Sequence, residues 1–331
     1  MTKIEELINV ITKEHAYIQM HNYPDQDALA SAFGLQTLLA IKGKQSTICY
    51  NGQIDKYNTL KMIELLHIHI FDTEEIRMEV GDEIILVDGQ KGNVNMENLL
   101  GEKIACIDHH PIQEVTGYRF YDIQSQVGAC SSIIAQYFME NDLELPINVA
   151  TALVYGLKMD TANLSRRVSM LDVDMFGYLY KRANLEKLRS FECNSLRKED
   201  LLAYQDAISN LKLYGRLGIA KIGDDCSEAI IGSISDFLLA LAEIDCTLVY
   251  SHRVGGLKFS VRSEAKTVDA GKIIKEALKG FGDGGGHATM AAGFLPNLST
   301  KEEVKEMASL VEQRVIDLIA NMQTGELSFE V

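Results

Sequence analysis

The sequence predicts an α/β fold: an N-terminal parallel-sheet domain with helices on both faces, followed by a smaller C-terminal α/β domain. Three observations carry this. The runs Glu83-Ile84-Ile85-Leu86-Val87 and Ile104-Ala105-Cys106-Ile107 are almost continuously apolar, as strands buried on both faces are. Helical stretches alternate with strand-like runs through the first half of the chain, the signature of a parallel sheet. A length of 331 residues accommodates two domains of ordinary size.

In order, residues 4–14 read as a helix and 16–20 as a short strand with His21 at its end. Pro24 marks a turn, and small and apolar residues from Asp27 to about Lys42 read as the next helix. Residues 46–50 form a strand and 54–66 a helix. The two apolar runs end in acids, Asp88 and Asp108. Residues 128–141 and 146–158 are helices, the second leading into Met159-Asp160-Thr161; 170–182 is another. The stretch 185–213 is polar and helical with few turn signals. This divides the chain into a domain at 1–190, a helical connector at 191–214 and a second domain at 215–331. The second domain reads as strands at 217–222, 247–252 and 256–262, helices at 228–243, 268–279 and 300–321, and a glycine run at 284–286.

The formal charge of −15 argues against a protein that coats long nucleic acid, which needs basic stripes. Six scattered cysteines include no C-x-x-C pair, so a zinc knuckle or thioredoxin-like motif is not suggested. The acidic, amphipathic N-terminus does not read as a signal peptide. No apolar run approaches the roughly 20 residues of a membrane span. A reduced, cytoplasmic location without membrane contact is expected.

The candidate site centres on Ile107-Asp108-His109-His110-Pro111. Three titratable residues at the end of a buried strand are costly unless something pairs with them. His21 and Asp88 also fall at strand ends, where open α/β sheets bind ligands. With Asp25, Asp27 and Asp160 they form an oxygen and imidazole donor set without thiolate, suited to manganese or magnesium. So many carboxylates repel one another unless cations hold them together. Two divalent ions can share a hydroxide and clamp a phosphoryl group, which favours phosphoester hydrolysis over a Ser-His-Asp mechanism. Taken singly, each acid has a plainer reading: Asp25 or Asp27 could cap the following helix, and a strand-end Asp is often a salt-bridge partner.

A second constellation is Gly284-Gly285-Gly286-His287. Successive glycines can turn backbone N–H groups inward as an anion nest, and a helix starting at His287 would add its positive end. The run could equally be a flexible loop. Arg262-Ser263 adds a bidentate phosphate donor at a strand end. Arg166 and Arg167 follow Asp160 closely; they read as a basic helix edge or as phosphate contacts. Ser131 and Ser132 read as helix caps or site residues.

His21-x-x-x-Asp25-x-Asp27, Val87-Asp88, Asp108-His109-His110 and Met159-Asp160-Thr161 resemble the four motifs of the DHH phosphoesterase superfamily. Gly284-Gly285-Gly286-His287, with Arg262-Ser263 upstream, resembles the DHH-associated C-terminal substrate domain. Within the superfamily the chain is most similar to the RecJ-related nanoRNase/pAp-phosphatase branch. The resemblance implies that His21 and Asp25 bind one metal, Asp27, His109 and Asp160 the other, and Asp88 bridges them. It implies that Asp108 orients its neighbours, and that His110 faces the leaving group or a phosphate oxygen. Arg262, Ser263, Gly285, Gly286 and His287 would hold the substrate. Gln26 departs from the glycine often found there, which suggests a stiffer loop.

The expected activity is hydrolysis of short oligoribonucleotides or dinucleotides, with pAp as a further substrate, by hydroxide activated between two divalent cations, manganese first and magnesium second. The rival reading is a phosphodiesterase for cyclic or linear dinucleotides such as c-di-AMP, pApA or pGpG. Pyrophosphatase or exopolyphosphatase chemistry fits the glycine-His run poorly. A processive RecJ-type exonuclease is disfavoured by charge. An inactive nucleotide-binding sensor is the alternative outside enzymes. Partners are expected to be short RNA or dinucleotide substrates, and a homodimer is compatible with the sequence.

Overall fold

The computed structural model describes residues 1–324 except 55, 94, 114, 194 and 195. The chain divides into two compact units, Met1–Ser195 and Leu196–Val331.

The first unit runs α1 (Lys3–Val10), β1 (His15–Gln19), α2 (Gln26–Ile41), β2 (Gln45–Tyr50), α3 (Tyr57–Leu66), β3 (Ile70–Asp72), β4 (Glu83–Val87), β5 (Glu102–Asp108), β6 (Phe120–Ile123), α4 (Cys130–Glu140), α5 (Ile147–Asp160), α6 (Met170–Tyr180) and α7 (Leu185–Glu192). Its six strands form one parallel sheet in the order β3-β2-β1-β4-β5-β6. The short edge strands β3 and β6 lack the long apolar run that marks the central ones. Strand order reverses between β1 and β4. The crevice beyond their carboxyl ends is where such sheets bind ligands, and the residues there are His21 and Asp88.

One expectation needs correction. The helices pack on one face of this sheet, where Ile18, Ile85, Val87 and Ile107 join residues of α1, α2, α4 and α5 in a single core. The other face, carrying Tyr17, Ile84, Leu86 and Cys106, is covered by Ile76, Met78, Met96, Leu99 and Tyr118 from connecting segments. Right-handed crossovers explain the difference. Beyond the reversal, β4 to β5 to β6 must cross on the face opposite α2. The connections available, residues 88–101 and 109–119, form no helix among the described residues.

Two glycines let the helices on the covered face approach closely. A Cβ on Gly156 would lie 2.6 Å from Ser131 Oγ and 3.0 Å from both Ala30 Cβ and Asp27 Cα; one on Gly34 would lie 2.7 Å from Ile134 Cγ2. Since α2 begins near Asp27 and α5 ends at Asp160, this packing sets the spacing of two candidate ligands.

The second unit runs α8 (Asp200–Asn210), β7 (Lys212–Tyr214), β8 (Leu217–Lys221), α9 (Glu228–Leu239), β9 (Cys246–Arg253), β10 (Gly256–Ser263), α10 (Ala270–Leu278), β11 (Asp283–Gly286), β12 (Met290–Pro296) and α11 (Lys301–Thr324). Its sheet has the order β11-β12-β10-β9-β8-β7 and is antiparallel except for the β8–β9 pair. Residues of α10 and α11 cover one face; α9 covers the other, with Ala203 and Ala207 of α8 packed alongside.

The glycine run forms the edge strand β11, not a nest, and no helix starts at His287. The reason is steric. A Cβ on Gly284 would stand 3.2 Å from the Ile274 backbone, and one on Gly286, at φ +147°, 2.5 Å from Met290 O. The first turn of α10 gives its Ala270 and Gly271 N–H groups to the carbonyls of Ala288 and His287.

Overpacking at Gly156 should be felt at the site. Gly156→Val is expected to lower unfolding free energy by about 1–3 kcal/mol in urea titration. Gly177→Ala in α6, where the added methyl meets nothing within 4 Å, should be neutral or stabilising by up to about 1 kcal/mol.

Candidate metal centre

The structure gathers the strand-end and helix-end residues of the first unit around Asp88. This residue leaves β4 in the left-handed region, φ +58°, which a non-glycine residue adopts rarely. Its carboxylate is buried. Oδ2 lies 3.7 Å from His21 Nε2, and Oδ1 lies 3.2 Å from His109 Nε2 and 3.8 Å from His110 Nδ1. On the other side of His109, Nε2 is 3.3 Å from Asp160 Oδ2.

Three groupings of ligand atoms, each within 4.8 Å, share this centre: His21, Asp25 and Asp88; Asp27, His109 and Asp160; and Asp88, Asp108, His109 and His110. All eight candidate residues of the first unit are therefore brought together, although they come from β1, α2, β4, β5, α5 and the turns between them.

Each ligand is held by a different local device. Asp25 caps α2, accepting the N–H groups of Asp27 at 2.9 Å and Ala28 at 3.1 Å. Asp27 does not cap its own helix. Its carboxylate accepts from Cys130 N at 2.7 Å and Ser131 N at 3.0 Å, so it caps the distant α4, whose N-cap residue Ala129 has no side chain to do so. Ser131 and Ser132 thus do not cap α4; Ser132 Oγ donates to Asp172. His109 Nδ1 faces Val127 O at 3.3 Å, which favours the tautomer with its proton on Nδ1 and leaves a lone pair on Nε2.

Asp108 is used up. Oδ1 accepts from His109 N and His110 Nδ1, both at 2.8 Å, and Oδ2 accepts from Gln90 Nε2 at 2.6 Å. Gln90, missed in the sequence, is fully buried; it also donates to Pro111 O and accepts from Gln113 N. An amide two residues past a motif acid gives no signal in a single sequence. Gln26 is buried too and donates to Asn58, which donates to Tyr155, tying the loop to α3 and α5.

These residues fit a divalent cation. Asp88 Oδ1 and His109 Nε2 are buried without a hydrogen bond although they face each other. Buried polar atoms left so are rare and call for an ion or water. Burial, then the charges of Asp88 and Asp160, pushes the Asp27 carboxyl well above the usual range. Burial also raises Asp160. Burial pushes the His109 imidazole down, but Asp160 and Asp88 outweigh it and leave it well above its ordinary value. Cations among these groups would relieve the repulsion. The nearby Cys130 thiol donates to Ile107 O and is pushed up by burial, so it stays a thiol and the donor set is oxygen and nitrogen. His21, Asp25, Asp27, Asp88, His109 and Asp160 are the residues that could hold such a cation.

In the second unit Arg262 is 7% exposed. Its Nε donates to Asp236 Oδ1 at 2.7 Å and its Nη1 to Ser260 Oγ at 2.9 Å. Ser263 does not share its surface. Strand alternation turns Ser263 to the opposite face, where it is 1% exposed. Ser260, two residues back, is the hydroxyl on the Arg262 face. It pairs across β12 with Ala292, which pairs with Gly285. The period of two was the available signal for Ser260. Gly286 ends β11, and His287 follows at the turn into β12.

The DHH family N-terminal domain matches residues 15–157, and the DHHA1 domain matches residues 214–317. The chain belongs to the DHH family. It is 31% identical over 309 residues to an uncharacterised protein of Methanocaldococcus jannaschii, covering 91% of this chain and 63% of that protein. It is 25% identical over 337 residues to the cyclic-di-AMP phosphodiesterase GdpP of Bacillus subtilis, covering 93% of this chain and 49% of GdpP. The chain thus spans roughly half to two-thirds of these two relatives. Among solved structures, an exopolyphosphatase-related protein from Bacteroides fragilis superimposes with a TM-score of 0.76 at 16% identity, covering 96% of this chain and 97% of that one. No helix among the described residues is long and apolar enough to cross a membrane.

Gln90→Leu would leave the buried Asp108 Oδ2 of this DHH domain without its donor. It is expected to cost about 1–3 kcal/mol of stability and to weaken manganese binding by about tenfold or more, read by urea unfolding and calorimetric titration.

Proposed function

We propose that this DHH-family chain is a two-metal phosphodiesterase acting on short nucleotides: dinucleotides and RNAs of a few residues, with pAp as a further substrate. The observation that carries this reading is the pair of buried, unbonded atoms Asp88 Oδ1 and His109 Nε2 at the centre of six candidate ligands. When bound, two divalent cations, manganese first and magnesium second, would supply Lewis-acid stabilisation of charge on a phosphoryl group and an acidified water. His21 and Asp25 would hold one ion and Asp27, His109 and Asp160 the other, with Asp88 between the two sets.

The remaining residues position and move protons. Asp108, ionised and held below the ordinary carboxylate range despite burial by its bonds to His110 and Gln90, fixes the His110 ring through Nδ1. The same contact holds His110 above its ordinary imidazole range against the effect of burial. It can then donate a proton or hydrogen bond from Nε2 to the departing oxygen. In the DHHA1 domain, Arg262, Gly285, Gly286 and His287 would hold a terminal phosphate or nucleotide. Ser260 takes the place expected for Ser263. The net charge of −15 favours short substrates over long polymers.

A second reading, a cyclic- or linear-dinucleotide phosphodiesterase, is favoured by the match to GdpP along 93% of this chain. A panel with manganese separates them: RNA dinucleotides and five-mers, pAp, c-di-AMP, pGpG and pyrophosphate. The proposal expects highest kcat/KM on the short linear RNAs. Preference for c-di-AMP would select the second reading, and no phosphoester turnover at all would support a nucleotide-binding sensor. Asp88→Ala should reduce turnover by at least about 10³-fold; retained activity would contradict its place between the metals.

A further inference from the structure

The segment after Asp160 is not used by the reading above, and its backbone is unusual. Ala162, Asn163 and Leu164 are consecutive left-handed residues, at φ +47°, +57° and +62°, and Arg167 is a fourth at φ +51°. Non-glycine residues avoid this region, and such clusters persist only where surrounding structure enforces them. Here the enforcement is visible. The Thr161 carbonyl accepts from Ser165 N and Arg166 N, and Thr161 Oγ1 accepts from Leu164 N. The buried Asp172 carboxylate accepts from Gly128 N, Ser132 Oγ, Ser169 N and Ser169 Oγ, pinning both flanks. Gly128 is required as well, because a Cβ there would lie 2.5 Å from Arg167 O.

All this places one side chain. Arg167 is half-buried, and among the described residues its guanidinium makes no hydrogen bond or ion pair. A partly desolvated guanidinium without an acceptor is costly. Burial disfavours its charge, while Asp160, Asp172 and Asp88 act on it across a distance too long for a salt bridge. With cations neutralising Asp88 and Asp160, those carboxylates no longer compete for it. The best remaining partner is an anion arriving at the metal centre.

We propose that Arg167 is a substrate-contacting residue that binds an oxygen of the phosphoryl group delivered to the metal centre. It presents the planar donor fork that phosphate oxygens match. Arg166, its neighbour, is partly buried as well and serves as the control. The proposal rests on the phosphoesterase reading of this site, and the test separates the two.

Arg167→Gln, Arg167→Lys and Arg166→Gln are compared with the unmodified protein in manganese. Calorimetry measures manganese affinity and, in the manganese-loaded protein, the affinity for AMP and inorganic phosphate; kcat/KM is measured on an RNA dinucleotide. Arg167→Gln is expected to lower kcat/KM by about 10²-fold or more and to weaken AMP and phosphate binding by about tenfold, with manganese affinity and Tm little changed. Arg167→Lys should recover part of the binding but not full turnover. Arg166→Gln should remain within about threefold on every measure. Unchanged kcat/KM and AMP affinity in Arg167→Gln would overturn the proposal. So would a loss that follows weakened manganese binding, or a larger loss in Arg166→Gln. If the unmodified protein cleaves no phosphoester, the functional reading falls alone, and AMP and phosphate affinities still decide Arg167. Absence of AMP and phosphate binding in the unmodified protein would overturn it.

Discussion

The structure of the first domain depends on one electrostatic constraint: four other buried or partly buried carboxylates and three imidazoles converge on Asp88, and protein hydrogen bonds satisfy only some of them. Asp108 is saturated by three donors, and Asp25 and Asp27 each cap a helix. Asp88 Oδ1 and His109 Nε2 are not satisfied. In a low-dielectric interior that imbalance is severe, since like charges within a few ångströms push one another toward protonation. Divalent cations would resolve it, and the same cations would supply the charge stabilisation that phosphoryl transfer needs.

The fold serves that constraint. A parallel sheet that reverses its strand order at β1 and β4 opens a crevice at its carboxyl edge, and β5 adds Asp108, His109 and His110 beside it. The other ligands arrive from helices. Asp27 reaches the centre from the start of α2 and anchors α4 by its N–H groups; Asp160 comes from the end of α5. The close approach of α2, α4 and α5, allowed by Gly34 and Gly156, fixes the distance between them. A residue that caps a neighbouring helix while facing the other candidate ligands couples the packing of the core to the geometry of the site. Rigid helix and strand ends hold such a constellation better than a free loop would.

Much of this was legible in the sequence, because buried parallel strands write apolar runs and strand-end acids stand out after them. The central strands, most helices and the eight site residues of the DHH domain could be read in that way. The short edge strands Ile70–Asp72 and Phe120–Ile123 could not, since too few residues carry the pattern. The face expected to carry helices is covered by connecting segments, a consequence of crossover handedness rather than of local propensity. In the DHHA1 domain the glycine run reads locally as a nest, yet it becomes an edge strand because α10 and β12 press against it. Ser263 was placed with Arg262 by adjacency, whereas strand alternation favours Ser260. Gln90 and Asp172 act through tertiary hydrogen bonds to residues far along the chain, and no local pattern announces such partners.

The central claim is that Asp88 sits between two divalent ions. Electron paramagnetic resonance of the protein loaded with increasing manganese tests it directly, because two ions about 4 Å apart couple their spins. The account predicts a spin-coupled signal that grows to completion at two manganese ions per chain and is lost in Asp88→Asn. A six-line spectrum of isolated manganese at every loading, or no bound manganese, would contradict it.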